Sequence, residues 1–169
     1  MQEEIINRVA NSKLITFDLE EFYPKGKRVF FDVKDWLLEE IVLKETDFRA
    51  HVKNHDWSQY QDNYVALTCS ADAIIPSWAF LLVSAELSAF AKKTVVGDLS
   101  LLETVIFSEV INNLDFSMYK EKPIIVKGCS EKTIPASAYT LLIGKLQPIA
   151  RTIMFGEACS TVPLYKSKK

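Results

Sequence analysis

The sequence predicts an α/β fold: a three-layer, mostly parallel sheet made of two similar βαβ units joined by a helix, with an N-terminal β-hairpin and helices. Three observations carry this reading. From Tyr64 onward, short apolar runs alternate with longer segments of helical period. The runs are continuously apolar, as expected of strands covered on both faces. The plan of Tyr64–Trp78, strand then cysteine then loop then proline, returns at Pro123–Tyr139.

Taken in order, Gln2–Ala10 reads as a short opening helix with Ile5, Ile6 and Val9 on one face. Leu14–Leu19 and Arg28–Val33 read as strands. Pro24-Lys25-Gly26-Lys27 between them is turn chemistry, because proline presets one φ and glycine admits a positive one, and the pair reads as a hairpin. Asp35–Leu38 reads as a helical turn and Ile41–Leu43 as a short strand. Glu45–His55 has a helical pattern, with Phe48 and Val52 four apart, and Asp56–Asn63 reads as a loop.

Tyr64–Thr68 is the first core strand. Pro76–Ala91 follows as a helix opened by proline, where the missing N–H costs nothing. Its apolar positions Trp78, Leu81, Leu82 and Ala85 follow helical spacing. Thr94–Val96 is a strand closed by Gly97-Asp98. Leu99–Leu114 is a helix with Leu102, Val105, Ile106 and Val110 inward. Pro123–Lys127, Pro135–Leu146 and Ile153–Phe155 repeat strand, helix and strand, closed by Gly156-Glu157, and Pro163 ends the regular part. Right-handed crossovers and a parallel sheet follow. The offset between the halves stays near 60 residues, consistent with duplication. Residues 1–63 form an extension, 64–162 a tandem βαβ core and 163–169 a tail, all in one α/β domain of 169 residues.

Composition narrows the function. Apolar residues are 49% and charged residues 25%, the balance of a globular protein with a full core. A net charge of −2 gives no reason to expect a nucleic-acid or anionic-membrane partner. Met1–Ile6 carries Glu3 and Glu4 rather than a signal-peptide core, and the longest apolar run, around Ala79–Val83, is too short to span a bilayer. The expectation is a cytoplasmic protein, with its three cysteines as thiols or metal ligands.

In a parallel α/β sheet, ligands bind beyond the carboxyl ends of the strands, where loops and helix N-termini gather. Cys69, Asp98, Cys129, and Glu157 with Cys159 follow the successive strands here. Cys69, Cys129 and Cys159 are therefore candidate ligands for a soft metal, zinc or iron. Asp98, Glu157, His51 and His55 are weaker candidates that could complete the shell. The spacing is not that of a paired CxxC site, so the signal rests on topology.

Two other readings stay open. Cys69 or Cys129, just before a helix, could be a nucleophile activated by the positive helix end. Alternatively, the cysteines only pack, and the chain is a non-catalytic interaction scaffold that forms a homodimer. His51 and His55 share one helical face, but without the glutamate of a zincin helix. The chain has no GxGxxG, no GxxxxGK[ST] and no GxSxG, and only 5 glycines, so a nucleotide cradle is not expected.

The runs NRVANSKLITFDLEEFYP, VKNHDWSQY, LTCSADAIIPSWA, VKGC and GEACSTVPLYK follow one another in that order, spread over nearly the whole chain. They resemble a bacterial family called domain-of-unknown-function family 2480. That family has no established activity. The resemblance implies a link to iron–sulfur assembly, and so a protein partner in sulfur or cluster handling.

Overall fold

The computed structural model describes residues 14–128, 131–157 and 160–168. Its strands are β1 (Ile15–Phe17), β2 (Arg28–Asp32), β3 (Tyr64–Thr68), β4 (Lys93–Val96), β5 (Pro123–Val126), β6 (Thr152–Glu157) and β7 (Ser160–Lys166). Its helices are α1 (Glu45–Asn54), α2 (Ser77–Leu87), α3 (Leu99–Asn113) and α4 (Ala136–Leu146). The class is α/β with open, mostly parallel sheets, as the sequence predicts.

The strands form two sheets, ordered β2-β3-β4 and β1-β5-β6-β7. All pairs are parallel except β6 with β7. The chain divides into two compact units. A mid-chain unit spans Pro24–Ile106, and a terminal unit joins Met1–Tyr23 to Phe107–Lys169. The boundary falls inside α3.

The predicted hairpin of β1 and β2 does not form. Each strand instead pairs in parallel with the next strand of its own unit, β1 with β5 and β2 with β3. The physical reason lies between them. Asp18 caps a 3-10 turn over Leu19–Phe22, its side chain accepting the Glu20 N–H, and this bends the chain before it can fold back. Parallel pairing then buries Phe17 in one core and Phe31 in the other. Gly26, at φ 140°, still makes the turn after Pro24. Arg28 pins that turn by donating to the carbonyls of Pro24 and Gly26 and pairing with the Glu103 carboxylate at 2.6 Å.

The two units correspond at a constant shift of 59 (48 to 107, 52 to 111). Phe48 and Val52 of α1 are buried in one core, and Phe107 and Ile111 of α3 are buried in the other. The second half of α3 is thus the counterpart of α1 and not only a connector. Ala79, Val83 and Leu87 of α2 match Ala138, Leu142 and Leu146 of α4, and all six are buried. The turns match too. Asp56 accepts from the Ser58 N–H as Asp115 does from Ser117. Asp62 and Glu121 take left-handed φ values of 60° and 56°, and their N–H groups bond the Phe90 and Ile149 carbonyls.

The inward face of α2 matches the spacing only in part: Trp78 and Leu82 pack against the core. Leu81 is 68% exposed, while Ala79, Val83 and Leu87 face the core. The sequence SWAFLLVSAEL is apolar almost all round, so helical spacing alone cannot choose its buried side. Pro163 does not end the regular part. Residues 160–166 form β7, antiparallel to β6, with an irregular register between Ile153 and Met154. The expected strand at Ile41–Leu43 is reduced to one bridge between Leu38 and Val42.

Candidate functional site

Two sheets mean two carboxyl edges, so the predicted residues do not gather on the edge of a single sheet. Cys69 follows β3 in the mid-chain unit. Cys129 and Cys159 belong to the terminal unit, and both lie outside the described residues.

At the mid-chain edge, Asp32 ends β2 and organises the loop after β3. Its Oδ1 accepts the Lys34 N–H at 3.0 Å and the Ser70 N–H at 3.0 Å. Burial alone would raise the Asp32 carboxyl; the bonds from Ser70 and Lys34 outweigh it and hold the pKa below the usual value of 3.8. Beside this clamp, Cys69 is half-buried and packs against the mid-chain core. Its Sγ lies 3.9 Å from the Ala71 carbonyl, a weak contact for a thiol. Asp98, past the end of β4, caps α3, its Oδ1 accepting the Leu101 N–H at 2.7 Å.

The terminal edge has a charged counterpart. Asp18 occupies the position after β1 that Asp32 occupies in β2. Lys127 Nζ pairs with Asp18 Oδ2 at 2.6 Å and approaches Glu20 Oε2 at 3.7 Å. The bond to Asp18 is the main cause that raises the Lys127 ammonium, with Glu20 and Glu157 adding to it. Burial works to raise Asp18, but Lys127 and the Glu20 N–H prevail and lower it. Glu20 Oε1 also accepts the Lys132 N–H at 2.6 Å, which ties the loop before α4 to the turn after β1. Glu157 Oε1 is buried without a hydrogen-bond partner among the described residues. Lys127 holds its charge tightly, so it is unsuited to act as a neutral nucleophile.

His51 and His55 enter an aromatic cluster. His51 stacks on Trp36 with ring centroids 5.5 Å apart, and His55 packs on Trp57 at 4.7 Å and Phe31 at 5.4 Å. The His55 Nε2 lies 3.1 Å from both the Tyr60 hydroxyl and the Gln59 amide nitrogen. An amide nitrogen only donates, so Nε2 accepts and the ring is neutral. Burial lowers its pKa, which agrees. A ring with its lone pair so engaged is a poor ligand or base. Among the described residues, no three histidines, cysteines, aspartates or glutamates form a metal-binding group. No described helix is long and apolar enough to cross a membrane.

Two cavities lie in the terminal unit. The larger, about 530 Å³, sits at the amino edge of the sheet between Lys120, Gln147, Arg151 and Tyr165. The smaller, about 260 Å³, is walled by Val126, Tyr139, Ile143, Phe155 and Leu164. Neither is lined by Cys69, Asp18, Glu20 or Lys127.

Asp18, Glu20, Asp32 and Lys127 belong to no catalytic motif. The signal that finds them is the short repeat Phe17-Asp18-Leu19 and Phe31-Asp32-Val33, fourteen positions apart (17 to 31). The same comparison qualifies the cysteines. At the shift of 59, Cys69 matches Gly128 and Ser70 matches Cys129, so the thiols are offset by one position between the units.

No curated protein and no solved structure matches the chain. The family model described as protein of unknown function (DUF2480) matches residues 3–167, and the chain belongs to that family.

Proposed function

We propose that this chain is a non-catalytic accessory protein whose cysteine-bearing loops hold a soft metal, zinc or iron, for a protein partner in sulfur handling or iron–sulfur assembly. The observation that carries the reading is the clamp on the Cys69 loop. Asp32 fixes the backbone one residue beyond the thiol, at the strand edge where α/β proteins bind ligands. A thiol on a fixed loop is pre-organised for ligation, which lowers the ordering cost of binding. Cys129 and Cys159 are proposed as ligands within the terminal unit, from their place after strands in the sequence. The non-catalytic choice rests on His55. The lone pair of that ring faces two donors, which disfavours a cysteine–histidine catalytic pair.

Elemental analysis of protein purified without oxygen, with thiols labelled by a maleimide before and after unfolding, tests this. Stoichiometric zinc or iron, with thiols protected until unfolding and metal lost in Cys129→Ser, is the expected result. Metal-free protein that also fails to take up added zinc or iron(II) would overturn it.

A further inference from the structure

We infer that the outer edge of β4 is a strand-addition surface, and that its occupant is β4 of a second copy, paired antiparallel about a two-fold axis. β6 of the terminal unit is the counterpart of β4 at the shift of 59 (93 to 152, 96 to 155). The outer edge of β6 is covered by β7, which runs antiparallel to it. β4 has no such cover among the described residues, because it is the last strand of the order β2-β3-β4. One unit thus has an antiparallel strand at this edge, while its counterpart has none among the described residues.

The backbone of β4 presents that need directly. Gly97 N–H bonds the Leu67 carbonyl of β3. Strand alternation then turns the N–H groups of Lys93 and Val95 toward β3 and those of Thr94 and Val96 away from it. Their counterparts in β6, Ile153 and Phe155, lie opposite Tyr165 and Val162 of β7.

The two outer strands also differ in defence. β7 carries Pro163 and a register irregularity, both of which block further addition. β4 is Lys-Thr-Val-Val, with no proline and three β-branched residues that favour strands. Val96 is 49% exposed, and Leu99 and Leu101 just beyond it are 42% and 43% exposed. Natural proteins shield such edges.

Self-pairing fits the charges. With Val95 on the axis, Thr94 lies opposite Val96 of the other copy and Lys93 opposite Gly97. No two lysines face each other, as they would in several other registers. An antiparallel pair of identical strands is isologous, so the assembly closes at two copies. Four residues and two flanking side chains make a small interface, so the dimer is concentration-dependent.

Sedimentation velocity across a dilution series, with amide exchange read at β4, tests this. Wild type is expected to dimerise on concentration, with the Thr94 and Val96 amides protected and this protection lost on dilution. Val96→Pro removes an outward donor without touching the β3 ladder, and is expected to leave a folded monomer by circular dichroism. A wild type that stays monomeric throughout, or a dimer unchanged in folded Val96→Pro, overturns the proposal. Should Val96→Pro fail to fold, exchange in wild type decides. Thr94 and Val96 amides that exchange freely at every concentration refute it.

Discussion

Asp32 and Ser70 are 38 positions apart in the chain and 3.0 Å apart in space. The bond is charge-assisted, from a backbone N–H to a carboxylate that also holds the Lys34 N–H. It joins the end of β2 to the loop after β3 and leaves Cys69 between a fixed strand and a fixed amide. The geometry around the one described cysteine therefore depends on an aspartate, not on the thiol itself.

Asp32→Ala removes both bonds and leaves two N–H groups without this partner. A loss of about 2 kcal/mol in urea unfolding is expected, since hydrogen bonds to charged groups contribute ~1.5–3 kcal/mol. Cys69 should also react faster with a maleimide, measured with Cys129 and Cys159 replaced by serine. Lost stability with an unchanged labelling rate would show that the loop is held by other contacts.

Phe48 and Phe107 are both fully buried, each in its own core, at matching positions of the duplication. Alanine at either site leaves a cavity of aromatic size and is expected to cost about 3–5 kcal/mol. Equal chemistry in equal settings predicts similar losses in urea unfolding. A loss at one site without the other would mean that the two cores are not equivalent in energy.

Two glycines predict opposite signs. Gly156 has φ 124°, and a Cβ there would collide with the Ser160 carbonyl oxygen, which is backbone and cannot move aside. Gly156→Ala is expected to destabilise by more than about 1 kcal/mol. Gly144 lies in α4, and a Cβ added there would meet nothing within 4 Å. Gly144→Ala should stabilise by about 0.5–1 kcal/mol through helix propensity. Paired thermal melts check both signs.

Much of this fold is legible in the sequence. Tyr64–Thr68 and the repeat of strand, loop, proline and helix are visible because buried parallel strands read as unbroken apolar runs. Pairing is not legible in the same way. Leu14–Leu19 and Arg28–Val33 look like neighbours because a turn separates them, but Phe17 and Phe31 are drawn to different cores. β7 is hidden by Pro163, which reads as a terminator and is tolerated because β7 is an edge strand. The clamp aspartates are hidden for another reason. Asp18 and Asp32 each hold backbone amides, a partner that residue identity does not reveal, and only the repeat of Phe-Asp around them marks the pair.

His55 gives the chain a pH dependence with a defined sign. Its ring is packed among Phe31, Trp36, Trp57 and Tyr60, and burial lowers its pKa from 6.5. Between that lowered value and 6.5 the unfolded chain binds a proton that the folded chain does not. Stability is therefore fully present above pH 6.5 and falls as the pH drops through this window. Asp18 and Asp32 act lower, because both are held below 3.8 and lose their contribution only as pH falls beneath that value. Urea midpoints measured across the mildly acidic range should slope downward with acid in wild type. In His55→Gln, which keeps a polar side chain but cannot titrate, that slope should flatten while the loss at lower pH persists. An identical slope in both proteins would show that the His55 ring is solvated, and that the aromatic cluster opens more readily than its contacts imply.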